Sequence, residues 1–381
     1  MAKKLRVGIL FGGRSGEHEV SLLSAASILK AIDRSRFEVV PIGISKTGRW
    51  LMGEDAHALL NGTRLPKPKA AARKVSIDSV ALCPEPGRMS SVGMGLSANS
   101  VDILFPVLHG TFGEDGTIQG LFELADLPYV GSGVLGSSTG MDKDVMKRLF
   151  AQAGLPLVQH VTMLRSEWER QPRKGIAAIE AKLKYPVFVK PANMGSSVGI
   201  SKVHDRAELG PALKLASQYD RKLVIEQGVG GGIGKAQKKA RELEVAVLGN
   251  DSPRASVVGE IIPAKEFYDY EDKYLASGSV AKIPAQLTRA ESQTIRALAV
   301  QAFRACDLSG LARVDFLMEP TGRRRIYLNE VNTLPGFTEI SMYPKLWAAS
   351  GLEYTALISE LIDLALERHA DKQRTVFSRE R

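Results

Sequence analysis

The run Leu5 to Phe11 is apolar throughout and breaks at once into Gly12-Gly13-Arg14-Ser15-Gly16. Behind that turn Leu22, Ala25, Leu29 and Ile32 recur at spacings of three and four, the period of one helix face. Strand, glycine turn, helix is the opening of an open parallel sheet, and it commits the N-terminal part of the chain to alternating strands and helices. Glu38 to Ile44, Val101 to Leu108 and Leu127 to Val130 supply further strands. Between Ser45 and Ser100 prolines, glycines and polar runs predict a peripheral excursion.

A helix is expected from about Asp142 to Ala153, closed by Gly154 in a left-handed cap and blocked by Pro156. Pro186 to Lys190, Ser201 to Val203 and Leu223 to Gln227 read as strands, with a helix near Arg206 to Ser217, which makes a small second α+β unit. From Glu242 the strands lengthen: Glu242 to Leu248, Ser256 to Ile262, Ala312 to Met318 and Arg325 to Glu330. Helices at about Arg289 to Cys306 and Glu353 to Arg368 complete a third unit, and Arg368 to Arg381 reads as a frayed tail.

With 381 residues, 44% apolar and 24% charged, the chain suits two or three globular domains. No apolar stretch approaches the roughly 20 residues of a membrane helix. No export signal is read at the N-terminus, and cytoplasmic location is the expectation. Cys83 and Cys306 cannot frame a disulfide scaffold and lie in no motif, so both are expected to be buried structural thiols. The net charge of +9 is spread along the chain with no nucleic-acid module, so an anionic small substrate such as a nucleotide explains it as well. Lys67 to Lys74 and Lys235 to Arg241 read as solvated loops.

Four constellations carry chemistry. Asp315, Glu330 and Asn332 lie on or at the end of otherwise apolar strands, where an unpaired carboxylate is costly to bury. They are hard ligands suited to Mg²⁺, or else partners of Arg313 or Arg324 in an ion pair. Lys190-Pro191-Ala192-Asn193-Met194-Gly195-Ser196-Ser197-Val198-Gly199 is a strand entering a loop of small residues, either a hairpin or a loop presenting backbone N–H groups to phosphate. Glu17, after the first glycine turn, falls at a helix start and at the carboxyl end of the first strand, where it complements the helix dipole or meets a ligand. The turn lacks the GxGxxG spacing of a dinucleotide site. Phe267 to Tyr274 is a loop dense in aromatic and ionic groups, a lid or a surface loop.

Taken together, the segments GGRSGEHEVS, LHGTFGEDGTIQG, VKPANMGSSVGISK, FYDYEDKY, LARVDF and NEVNTLPGFTEISMYP resemble the D-alanine D-alanine ligases, in family order from the first strand to about Ala365. The resemblance implies a three-domain ATP-grasp α/β fold. Its parts are an N-terminal open parallel-sheet, Rossmann-like domain (1–133), a small central α+β domain (134–227) and a C-terminal α+β domain with the metal site (228–368), ahead of a tail (369–381). It also implies ATP between the second and third domains, with the amino acids facing the first. By the same resemblance Glu17 meets the ammonium of the first D-alanine and shares a hydrogen-bonded set with Ser196 and Tyr274. Lys143, Lys190 and Lys273 take phosphate, with Ser197 and Phe267 also on the ATP side. Glu226, Gln227 and Val229 hold adenine, and Glu242 the ribose. His109 is a substrate-side histidine, and Gly336, Ser341 and Met342 belong to the second substrate's carboxylate site. Asp315, Glu330 and Asn332 hold two Mg²⁺ ions, for which Mn²⁺ can substitute.

The implied chemistry is activation of a D-alanine carboxylate as an acyl phosphate, then attack by a second D-alanine, with Arg313 stabilising the oxyanion. Ligases making D-alanyl-D-lactate or D-alanyl-D-serine share nearly every motif and differ mainly around Tyr274. Biotin-carboxylase-like or glutathione-synthetase-like enzymes share the metal pair but not GEHEVS or EISMYP, and a non-catalytic ATP-binding module has no need of metal ligands, arginine and lysines at once. The stretch Gly230 to Ala240 is longer than the family pattern and is expected to be a mobile surface insertion. A homodimer is the expected assembly, with no nucleic-acid or membrane partner.

Overall fold

The computed structural model describes residues 3–62, 101–231, 238–263 and 280–376. Cys83, the Lys67 to Lys74 cluster and the whole loop Phe267 to Tyr274, with Phe267, Lys273 and Tyr274, lie outside the described residues.

The N-terminal part runs β1 (Leu5–Gly12), α1 (His18–Ala31), β2 (Phe37–Ile44), β3 (Trp50–Met52), α2 (Gly53–Leu60), β4 (Ile103–Val107) and α3 (Thr117–Leu124). Its sheet has the order β3-β2-β1-β4, with β1 parallel to both β2 and β4 and only β3 antiparallel. The glycine turn forms as the sequence predicts: Gly12 and Gly13 both have positive φ, and a Cβ on Gly12 would lie 2.2 Å from the Ile44 carbonyl oxygen. β3 and α2 fill the start of the segment read as an excursion. Leu127 to Val130 is not a strand. It makes a single parallel bridge, Leu104↔Tyr129, because Pro128 has no N–H to donate and Gly131 turns the chain away with φ +102°.

The central part comprises α4 (Val134–Met141), α5 (Lys143–Gln152), β5 (His160–Leu164), α6 (Arg165–Arg170), α7 (Pro172–Glu180), β6 (Val187–Pro191), β7 (Ser201–Val203), α8 (Arg206–Tyr219) and β8 (Lys222–Gln227). Its antiparallel sheet has the order β5-β8-β6-β7 and packs Val187, Val189, Leu223 and Ile225 against Leu209, Leu213 and Ala216 of α8. The Asp142 side chain caps α5 by accepting from the N–H groups of Asp144 and Val145, and Gly154 follows with φ +71°.

After a two-residue pairing of β9 (Gly230–Gly231) with β10 (Lys238–Lys239), the third part comprises β11 (Arg241–Gly249), β12 (Arg254–Ile262), β13 (Val280–Lys282), α9 (Arg289–Ala305), β14 (Gly310–Met318), β15 (Ile326–Asn332), α10 (Met342–Ala348) and α11 (Tyr354–Lys372). The antiparallel sheet has the order β13-β12-β11-β14-β15. One face, with Leu243, Val245, Val247, Val314 and Phe316, is buried against Ile295, Ala299 and Phe303 of α9. Each such apolar side chain contributes roughly 1.5 to 3 kcal/mol when fully buried.

α11 packs Leu357, Ile358, Leu361 and Ile362 into one core with Val7, Ile9 and Phe11 of β1 and with Ala246 and Leu248 of β11. The C-terminal region is therefore not frayed at Arg368, as the sequence reading had it. The helix runs to Lys372, where the ammonium pairs with Glu123, and the Arg368 guanidinium stacks 4.3 Å from the Tyr129 ring centre. Among the described residues no helix is long and apolar enough to cross a membrane. Cys306 is buried, and burial pushes its thiol up to about 12.

Candidate active site

Lys190 closes β6, and the chain then enters the loop of small residues. Ser196 and Ser197 both adopt left-handed φ, +48° and +61°, followed by Gly199 at +71°. Consecutive left-handed residues other than glycine are strained, and such curvature turns backbone N–H groups toward a common anion-sized concavity. Lys143 at the start of α5 donates to the Met194 carbonyl (2.9 Å) and stands 3.6 Å from Glu330.

Beneath this loop lies a buried charge cluster. Glu226 on β8 meets Lys190 Nζ at 2.7 Å through Oε2 and Lys147 Nζ at 3.0 Å through Oε1. Lys147 also donates to the Asn329 carbonyl (3.3 Å), and Lys190 reaches Asn329 Oδ1 at 3.4 Å. Burial alone would raise the Glu226 pKa, but Lys147 and Lys190 outweigh it and hold the carboxyl down at about 2. The Gln227 side chain is committed to backbone, accepting from Lys184 N–H (2.7 Å) and donating to the Lys184 carbonyl (2.5 Å). Val229, half-buried, follows on the way out of β8.

The face of the C-terminal sheet away from α9 is charged. Register pairs Glu244 with Asp315 and Asp315 with Glu330, so three carboxylates stand side by side across β11, β14 and β15. Glu242 lies two residues before Glu244 on the same face. A bulge after Asp315 leaves Asn329 as the extra residue of β15 and turns it toward the lysines. Arg313 lies on the carboxylate face and takes Asp315 in a two-pronged contact, Nε to Oδ1 and Nη2 to Oδ2, both 2.7 Å, with Glu244 at 3.3 Å. The ion pair that the sequence left open as an alternative is thus present, whereas Arg324 pairs elsewhere, with Glu291 at the cap of α9. Asn332, opposite Arg313, accepts from Leu334 N–H at 3.2 Å.

Like charges directly across a sheet repel, so this row calls for cations. Its carboxylate and amide oxygens are the donors a hard divalent ion takes. Among the described residues no three His, Cys, Asp or Glu side chains converge on a metal-sized point. A bound ion would therefore complete its sphere with other oxygens, as Mg²⁺ commonly does.

Facing this sheet and the small-residue loop is the N-terminal glycine turn. Glu17, buried before the first turn of α1, accepts a hydrogen bond from Ser196 Oγ. Its carboxylate lies against two glycines, since a Cβ on Gly110 or Gly195 would fall 2.7 or 3.0 Å from Oε2. His109 is buried with Nδ1 2.8 Å from the Leu334 carbonyl and Nε2 3.3 Å from Ser24 Oγ, which accepts from Phe337 N–H at 3.2 Å. Burial lowers the His109 pKa, against the pull of Glu17, and keeps the ring neutral near pH 7. Glu114 accepts from Gly110 N–H at 2.6 Å, and burial followed by the nearby Glu17 pushes its carboxyl up to about 8. The turn and residues 108–113 border a mostly apolar cavity of about 260 Å³.

Gly336, Thr338 and Ser341 form a compact turn ahead of α10. Ser341 Oγ accepts from Thr338 N–H (3.1 Å), and a Cβ on Gly336 would approach it to 3.3 Å. Met342 points its methyl group under Gly259, so its side chain is a packing element and only its backbone faces the turn.

The structure brings together Glu17, His109, Lys143, Lys190, Ser196, Glu226, Arg313, Asp315, Glu330 and Asn332 around one region. Lys147, Asn329, Glu114, Ser24 and Glu244 belong to it too and were missed. Lys147 had a signal, a lysine one residue after Met146 on the stripe that also carries Phe150. Glu244 had one in the period-two spacing after Glu242.

The pattern of the D-ala D-ala ligase N-terminus matches residues 6–132, and that of the D-ala D-ala ligase C-terminus matches residues 149–363. A D-alanine–D-alanine ligase from Natranaerobius thermophilus is 49% identical, covering 98% of each chain. One from Heliobacterium modesticaldum is 50% identical over 99% of this chain and 98% of that protein. Among solved structures, the D-alanine-D-alanine ligase from Coxiella burnetii matches with a TM-score of 0.78 at 34% identity, over 98% of this chain and 97% of that one. The VanG D-Ala:D-Ser ligase from Enterococcus faecalis matches with a TM-score of 0.78 at 35% identity, over 95% of this chain and all of that one. With both family patterns matched in order, and relatives near half identity over almost the whole length, the chain belongs to the D-alanine D-alanine ligase family and has its ATP-grasp fold.

Proposed function

We infer that this protein joins two D-alanine molecules into D-alanyl-D-alanine at the expense of ATP, for peptidoglycan precursor synthesis, releasing ADP and phosphate. The observation that carries the reading is the Ser196–Glu17 hydrogen bond, which ties the small-residue loop to an anionic anchor at the start of α1. An amino acid whose ammonium sits on Glu17 has its carboxylate directed toward that loop.

In this reading the nucleotide lies between residues 134–227 and 228–368. Adenine is held at Glu226, Gln227 and Val229, ribose at Glu242, and phosphates at Lys143, Lys190 and Ser197, with Phe267 and Lys273 from the loop outside the described residues. An oxygen of the first D-alanine carboxylate attacks the γ-phosphorus and ADP departs. The lysines offset the charge of the transferring group. Asp315, Glu330 and Asn332 would hold Mg²⁺ or Mn²⁺, which when bound supplies further positive charge to the phosphate oxygens. The amine of the second D-alanine then attacks the acyl carbon, phosphate leaves, and the nitrogen gives up a proton. Arg313, steadied by Asp315, supplies N–H groups to the oxyanion of that step. His109, Gly336, Ser341 and Met342 border the amino-acid side. ATP as energy source accords with a cytoplasmic reaction.

Asp315→Asn and Glu330→Gln are expected to lower ADP release with D-alanine by about a thousandfold or more, the scale of losing charge stabilisation in the transition state, with the fold unchanged by circular dichroism. Near-normal turnover in either variant removes the metal assignment. In the same assay D-alanine supports ADP release and L-alanine does not, and chromatography of mixtures with D-serine or D-lactate yields D-alanyl-D-alanine as the product.

A further inference from the structure

Lys147 lies one turn beyond Lys143 on α5, completely buried, among Met146 and Phe150. A lysine in such a place is tolerated only if its charge is answered. It is answered by Glu226, whose other oxygen binds Lys190, and Asn329 accepts from both lysines. The set links α5, two strands of the central sheet and β15 of the C-terminal sheet. Two ammonium groups and one carboxylate leave it with a net positive charge. Lys147 has no accessible surface and cannot touch a nucleotide, whereas the Lys190 side chain keeps 10% of its surface open.

We propose that Lys147 is a positioning residue that neutralises Glu226, so that the charge of Lys190 remains directed at nucleotide phosphate. The proposal rests on the reading of Lys190 as a phosphate-binding cation. With Glu226 and Lys190 alone, the pair would be neutral, and in a dry site it would present little field to an incoming anion. Lys147 shares the carboxylate and restores that field without occupying ligand space. Burial pulls the Lys147 pKa down, but Glu226 opposes it and the lysine sits in contact range of the carboxylate.

The test is calorimetric binding of the non-hydrolysable analogue adenylyl imidodiphosphate, with Mg²⁺, to the full chain. Lys147→Met and Lys147→Gln, the second retaining a donor for Asn329, should each weaken binding by about tenfold or more. The same variants should bind adenosine, which carries no phosphate, as the parent does. A merely structural role predicts that adenosine binding falls in step with that of the analogue. Unchanged analogue affinity in both Lys147 variants, or an equal loss for adenosine, overturns the proposal. Lys190→Ala separates the two levels: if it binds normally, the phosphate reading of Lys190 fails, whereas weak binding there beside normal Lys147 variants sinks this inference alone.

Discussion

Gly110 has a carboxylate on either side of it, Glu17 reaching toward its Cα and Glu114 accepting from its N–H. Two buried acids this close do not both ionise easily, and Glu114, pushed up to about 8, is the one that keeps its proton. A raised carboxyl pKa in the folded state means that the native protein binds the proton more tightly than the unfolded chain. Its contribution to stability is present below the ordinary carboxylate range and is lost as pH rises toward 8. Glu114→Gln keeps an acceptor for Gly110 and cannot ionise. It should match the parent at pH 5 and melt roughly 3 to 6 °C higher at pH 9, by calorimetry across a pH series. An equal difference at both pH values would mean that Glu114 is already ionised in the native state.

Among the elements, α5 is wedged between the central and C-terminal sheets, and its first turn is clamped. Lys222 Nζ contacts Asp142 at 2.7 Å and Asp144 at 3.3 Å, Thr162 donates to Asp144, and Asn193 donates to Asp142. Burial works against ionised Asp142, but Lys222 and the helix N–H of Val145 outweigh it and lower its pKa. Lys222→Met should cost about 1 to 3 kcal/mol in urea unfolding at pH 7, since it removes the cation paired with half-buried Asp142, while Asp144 keeps Arg148 at 2.7 Å. That deficit should shrink as pH falls below the ordinary carboxylate range, because a depressed folded pKa contributes only above it. β1 and α5 were legible because a continuous apolar run and a cap followed by glycine are local signals. Asp315 and Glu330 were legible because acids in apolar strands are anomalies. α4 was not, since Val134–Met141 has no apolar period. Its glycines serve close approach, with a Cβ on Gly136 falling 2.4 Å from the Asp307 carbonyl oxygen. Lys147 was legible only in part: its place beside Met146 and Phe150 marks a lysine on a buried stripe, but only the fold reveals that it faces Glu226.

For the whole molecule, the first and third sheets are fastened by α11, with Arg36–Asp363 and Arg254–Glu360 ion pairs along its flanks. Elsewhere α3 and α4, which pack on each other, leave Leu124, Val134 and Leu135 exposed. Apolar side chains left open to water are where a second copy would bury surface, and we propose this face as the interface of the expected homodimer. Leu124→Glu with Leu135→Glu should shift sedimentation from dimer to monomer, and a parent protein that sediments as a monomer would remove the proposal. The two faces of β14 divide its alleles into two classes. Ala312, Val314, Phe316 and Met318 are buried toward α9, while Arg313 and Asp315 face the charged side. Saturating these six positions with substitutions, and scoring cellular abundance and growth as separate traits, should give two phenotypes that alternate along the strand. Alleles at Val314 or Phe316 would be lost to degradation, whereas neighbouring alleles at Arg313 or Asp315 would accumulate to normal levels as inert protein.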